Sequence, residues 1–134
     1  MKIVAVYAGL LALLFVVLSI RVIGVRRAAK VPLGDGGNSD LLRRLRVQGN
    51  FAEYVPLGLV LMLLVELQGF PGWLVHAIGA PLLLGRLAHA YGVSQTPENF
   101  AIRVFGMALT FTALISGAII NLAGGTLLGL LTQQ

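Results

Sequence analysis

From Ile3 to Ile20 the chain runs eighteen residues without a charged side chain. At about 1.5 Å of rise per residue, a helix of that length spans most of a hydrocarbon core roughly 30 Å thick. Hydrocarbon offers no partner for backbone N–H and C=O groups, so a segment crossing it is either a helix or part of a closed barrel. No strand signal accompanies this run, and similar apolar stretches recur three more times along the chain. Hydrophobic residues make up 57% of the sequence, charged ones 11%, and the mean hydropathy is +0.91. A soluble domain carries roughly 25% charge, so this chain cannot clothe a water-facing surface and reads as an integral membrane protein. A signal peptide starting at Lys2 is the competing reading of the first run. The run exceeds an h-region of about 7–15 residues, and Arg21 stands where a small-residue cleavage site is needed.

The 134 residues form a single domain, an all-α bundle of four transmembrane helices with spans near 3–29, 41–68, 72–92 and 99–123. The first helix continues past Arg21, Arg26 and Arg27 until Pro32 and Gly34 stop it. Val31 to Asp40 is a loop, with Ser39 or Asp40 placed to cap the second helix. Pro56 lies inside that helix and removes a backbone bond to Ala52. The hairpin GFPG at 69–72 leads to Trp73 and His76, which suit an interfacial belt. Gly79, Gly85 and Ala88 in the third span, and Ala113–Gly117 and Gly125–Gly129 in the fourth, predict close helix packing. Thr96, Pro97 and Glu98 mark the start of the fourth helix, and Asn121 or Gly124–Gly125 the end of its membrane part.

The net charge of +5 and pI near 10.5 follow from topology rather than from nucleic acid, for which no recognition module is present. Seven Lys or Arg lie between Arg21 and Arg46, Arg86 and Arg103 flank the third connection, and the second connection has none. The first and third connections are therefore expected on the cytoplasmic side, with both termini opposite. Arg43 and Arg44 read as anchors at that face.

Arg46, Asn50 and Glu53 fall at i, i+4 and i+7 and line one helix face at the edge of an apolar segment. Burying such groups is costly, and ligand binding is one reason to keep them. For Glu53 the alternatives are a structural ion pair with arginine and a ligand contact. For Arg103, at the start of the fourth span, they are a snorkelling anchor and a site for an anion. His89 is placed to be an acid, a base or an interfacial donor. Glu66 sits near the other membrane face as a helix-end residue. With two histidines, no cysteine and no carboxylate motif, neither a metal site nor a nucleophilic triad can be assembled. One acid and one amide among arginines suit a small zwitterion bearing carboxylates.

The segment R46-V-Q-G-N50-F-A-E53-Y54-V-P56 resembles the RxxxNxxEYxP signature of the MAPEG family, membrane-associated proteins in eicosanoid and glutathione metabolism. Four spans, a basic first connection, G85-R86-L-A-H89 and an arginine opening helix four extend the likeness over nearly the whole chain, which looks most like the small bacterial inner-membrane members. The resemblance implies a homotrimer that binds glutathione, as co-substrate, between subunits near the cytosolic face. By position it assigns glutathione binding to Arg46, Asn50, Glu53 and Tyr54, with Arg26 or Arg27 reaching a neighbour's site and His89 at a position held by tyrosine or histidine. It assigns thiolate stabilisation to Arg103. Val93 departs from the family, whose catalytic members carry an aromatic there. The implied function is a glutathione-dependent transferase or peroxidase acting on lipophilic substrates dissolved in the bilayer. The family also holds a non-catalytic lipid-presenting member, which keeps open a protein that binds a lipid or small metabolite. A small multidrug exporter, the third class, needs a membrane carboxylate standing alone.

Overall fold

The structure, a computed structural model, describes residues 2–131, with side-chain surroundings as far as Thr126. Four helices follow one another: α1 (Lys2–Ala28), α2 (Ser39–Leu67), α3 (Gly72–Ser94) and α4 (Phe100–Leu131), with no strand among the described residues. α1, α2 and the Phe100–Thr126 part of α4 are long and apolar enough to cross a membrane. α3 is not among them, because His76, Arg86 and His89 dilute its apolar character. On length and composition alone, then, three of the four expected spans are met.

Consecutive helices run antiparallel. Phe15 of α1 stacks on Phe51 of α2 with ring centroids 5.5 Å apart, and Gln48 Nε2 donates to Ser19 Oγ at 2.8 Å. At the other end Tyr7 Oη and His76 Nδ1 lie 3.0 Å apart, tying α1 to α3, so His76 has a partner within the chain. α1 packs on α2 and α3 and does not reach α4. The buried positions of α1, Val4, Leu11, Leu18 and Val22, fall on one stripe, as do Val47, Phe51, Val55, Gly58, Met62 and Val65 of α2. Their opposite faces, such as Val6, Leu13, Val17 and Leu57, are exposed and suit lipid.

α3 and α4 approach most closely, through glycine. A Cβ on Gly85 would meet the Gly106 carbonyl and the Thr110 hydroxyl at 2.8 Å, and one on Gly92 the backbone nitrogen of Arg103 at 2.6 Å. Gly117 accommodates Leu61 of α2 beside fully buried Ala113. Gly125, by contrast, faces open space, and Gly129 lies outside the described side chains.

The helix ends differ in detail from the sequence reading. Asn38, not Ser39 or Asp40, caps α2: it is extended (φ −83°, ψ 110°), and its Oδ1 accepts from Leu41 N–H at 2.9 Å. Asp40 sits in the first turn and pairs with Arg44 at 3.1 Å. α4 starts after Asn99, whose Oδ1 accepts from Ile102 N–H at 3.1 Å. α4 itself continues past Asn121 and Gly124–Gly125 to Leu131. The Asn121 carboxamide donates to Gly117 O at 2.8 Å and Leu61 O at 3.0 Å, so this residue fastens α4 to α2 rather than breaking it.

Candidate functional site

α2 carries the polar row because a single helix passes without interruption from arginine-rich early turns into apolar sequence. Arg46, Asn50 and Glu53 lie on one side of it, as the spacing predicts, and all three line a cavity of about 760 Å³. His89 and Val93 of α3, Glu98 of the third connection and Arg103 of α4 complete the wall, with Arg43 above. Arg103 is thus brought to the same space as the row from a helix far along the chain. Val93 supplies an apolar wall where an aromatic was expected by resemblance, and Tyr91 points outward, 58% exposed.

The charges in this cavity are not all paired. Arg103 Nη1 donates to Glu98 Oε1 at 2.7 Å, an ion pair inside the wall itself. Arg46 and Glu53 are exposed in the single chain, and among the described residues neither has a hydrogen-bond or ion-pair partner. A structural Arg46–Glu53 pair is therefore not formed within the chain. Arg43 is more than an anchor: it donates to Gln95 O at 3.0 Å and Thr96 Oγ1 at 2.5 Å, stapling the first turns of α2 to the third connection.

Three candidates stand away from the cavity. Tyr54 turns toward α4, edge-on to Phe111 with centroids 5.6 Å apart. Arg26 is committed to its own loop, donating to Val31 O at 3.2 Å and Gly34 O at 2.9 Å. Arg27 is exposed, with no hydrogen-bond or ion-pair partner among the described residues. Glu66 is indeed at the far end, where its carboxylate accepts from the backbone N–H groups of Ile3 (3.1 Å) and Val4 (3.3 Å) and so caps α1.

Behind the cavity lies a residue the sequence reading underweighted. Arg86 is 1% exposed, the most deeply buried charge among the described residues. Its Nη1 donates to Asn50 Oδ1 at 2.5 Å, and its Nε and Nη2 donate to Thr110 Oγ1 at 3.0 and 2.6 Å. Met107 Sδ lies 3.3 Å from Nη2, and the Tyr54 ring centroid is 5.5 Å from the guanidinium carbon. The guanidinium joins α2, α3 and α4 through neutral partners. The one available signal was a lone arginine deep in an apolar run.

Residues 4–123 match the model of the MAPEG family. The inner membrane protein YecN of Escherichia coli strain K12 is 42% identical to this chain over 118 residues, 88% of each protein. YecN of Escherichia coli O6:H1 matches to the same extent. The signature positions Arg46, Asn50, Glu53 and Tyr54 and the four-helix order lie inside the matched region. This membrane protein belongs to the MAPEG family.

Proposed function

We propose that the protein is a membrane-embedded, glutathione-dependent transferase or peroxidase acting on lipophilic electrophiles. The observation that carries this reading is the composition of the cavity. Guanidiniums of Arg43, Arg46 and Arg103, carboxylates of Glu53 and Glu98 and the amide of Asn50 surround a space of about 760 Å³, within the roughly 300–1,000 Å³ of small-molecule sites. Glutathione offers carboxylates, an ammonium, peptide groups and a thiol. Arginine forks hold carboxylates bidentately, Glu53 takes the ammonium, and Asn50 a peptide oxygen. Arg103 keeps N–H groups beyond the one given to Glu98, and these stabilise the sulfur as thiolate. A thiol with pKa near 8.5 is only a few per cent ionised at neutral pH, and a depression of about two units is worth roughly 2.7 kcal/mol.

The chemistry is balanced in either form. With an electrophile, the thiol proton passes to water, a sulfur–carbon bond forms and the leaving group departs with its electron pair. With a lipid hydroperoxide, sulfur takes the terminal oxygen and the alcohol leaves. A further glutathione thiolate then displaces hydroxide from the sulfenic acid, and the hydroxide takes up the proton that thiol released, giving disulfide and water. Substrate reaches the site sideways from the bilayer.

In this reading α3 crosses the membrane with the other three helices, shielded by them, and the first and third connections face the cytoplasm. The exposed Arg46 and Glu53 are covered by a neighbouring copy in a homotrimer. Arg27, uncommitted in its own protomer, reaches the neighbour's site in preference to Arg26. A second reading, non-catalytic lipid binding, is favoured by one feature: an apolar groove of about 360 Å³ between α1 and α2, lined by Leu11, Phe15, Phe51, Val55 and Leu59 among others. Conjugation of an aryl halide and reduction of a lipid hydroperoxide by detergent-solubilised protein separate the two readings. Full rate in Arg103→Ala rules out the thiolate role, and stabilisation by lipid without turnover selects the second reading.

A further inference from the structure

Arg86 does not line the cavity, yet its hydrogen bonds determine what one cavity residue can offer. A guanidinium carries N–H donors and no acceptor. Nη1 lies 2.5 Å from Asn50 Oδ1, so the carboxamide oxygen must face Arg86. The reverse orientation would set an NH2 group against a guanidinium in a place only 1% exposed. Arg86 cannot turn aside to allow it, because Nε and Nη2 are both engaged by Thr110 Oγ1. The Thr110 hydroxyl is itself oriented, since it donates to Gly106 O at 2.9 Å and leaves its lone pairs for Arg86. Donation therefore runs outward from Arg86, on one side through Thr110 to Gly106 O and on the other to Asn50 Oδ1.

What remains of Asn50 for the cavity is its nitrogen. Among the described residues Nδ2 has no partner, and it is not a sealed atom either, Gln68 Oε1 being the one buried unpartnered side-chain atom found. Asn50 lines the cavity. We propose that Arg86 is a positioning residue that fixes the Asn50 carboxamide so that it presents only hydrogen-bond donors, making this point of the site selective for a ligand acceptor oxygen, carbonyl or carboxylate. The inference deepens the glutathione reading and rests on it for the identity of the ligand.

The test has a ligand-free and a ligand-bound arm. Asn50→Asp keeps an oxygen toward Arg86 and supplies a buried cation with a countercharge, but shows the cavity an acceptor in place of a donor. The expected result is an unfolding temperature equal to or above wild type together with a loss of glutathione affinity of about tenfold or more by calorimetry. Arg86→Lys is expected to weaken glutathione binding several-fold in the wild-type background and to have no further effect in Asn50→Ala, because its influence passes through that one amide. A purely structural arginine would weaken binding equally in both backgrounds. Truncated glutathione lacking its glycine, bound with the same Asn50→Asp penalty, places the acceptor in the γ-glutamyl part of the ligand; loss of the penalty places it at the glycine end. Either result supports the donor assignment. The proposal is overturned if Asn50→Asp lowers the unfolding temperature of the ligand-free protein, if it binds glutathione like wild type, or if the Arg86→Lys effect is additive. Absence of binding by wild-type protein overturns the glutathione reading and this proposal with it. A raised unfolding temperature in Asn50→Asp would still separate the Arg86–Asn50 pairing from that failure.

Discussion

Thr110→Val tests how the Arg86 charge is held. The substitution keeps a β-branched side chain in a position that is 0% exposed and removes a single hydroxyl. That hydroxyl accepts from Arg86 at 3.0 and 2.6 Å and donates to the carbonyl of Gly106. Interhelical hydrogen bonds between neutral groups in membrane proteins average only about 0.6 kcal/mol. Bonds to a charged group are worth about 1.5–3 kcal/mol each, and no carboxylate shares the load. Losing two of them is expected to cost about 3 kcal/mol. Thr112→Val is the control: Thr112 is exposed and its hydroxyl donates to Ala108 O within its own turn at 2.9 Å, so a change under about 0.5 kcal/mol is expected. Reversible unfolding by dodecyl sulfate in mixed micelles, followed by circular dichroism, measures both. A Thr110→Val cost within about 1 kcal/mol of the control would mean that Thr110 is not what compensates the buried guanidinium, and the orientation argument for Asn50 would lose its anchor.

Other expectations are more direct. Glu98→Gln removes the carboxylate bound to Arg103 and should tighten glutathione binding several-fold by calorimetry; unchanged or weaker binding would show that Glu98 does not compete for that guanidinium. Gly106→Ala places a methyl against the backbone of α3 at His89 and Gly85 and should cost about 2 kcal/mol or more, seen as lost folded material in size-exclusion chromatography. Gly125→Ala, facing open space, should be neutral or slightly stabilising, and equal behaviour of the two would discount the close α3–α4 approach. Glu66→Ala removes the cap on α1 and is expected to destabilise its start, with faster hydrogen exchange confined to the first turn as the readout.

The architecture was legible because lipid leaves the backbone so few options: uncharged stretches of sufficient length had to be helices, and their ends lie within a few residues of expectation except in α4. The convergence of Arg46, Asn50, Glu53 and Arg103 was legible too, the first three from helical spacing and the fourth from charge placement. Other features were not, for identifiable reasons. Arg86 finds Asn50 36 residues away and Thr110 24 residues away, and all its partners are neutral, so no complementary charge in the sequence marks the network. Glu98 reads as a helix-start residue until the fold shows Arg103 turned back onto it. Tyr54 follows Glu53 directly, yet one residue is about 100° of helix, enough to send it against Phe111 and away from the cavity. Asn121 has a breaker's composition, and only the position of the Leu61 carbonyl reveals it as a fastener.

The carboxylate of Glu66 on the amides of Ile3 and Val4 bears on how the protein is made. The hydrogen bonds that finish the first turn of α1 come from a residue 63 positions later in the chain. A nascent chain that has delivered only its first helix to the bilayer holds a segment whose depth is set by hydrophobicity alone, free to slide by a turn, about 5.4 Å. Arrival of the end of α2 fixes that depth, and the bond from Gln48 to Ser19 fixes it again lower down. A slip of one turn would break both at once. The first two helices therefore acquire their vertical register as a pair, and the mouth of the cavity, built on the early turns of α2, is set at its level in the membrane by the same event.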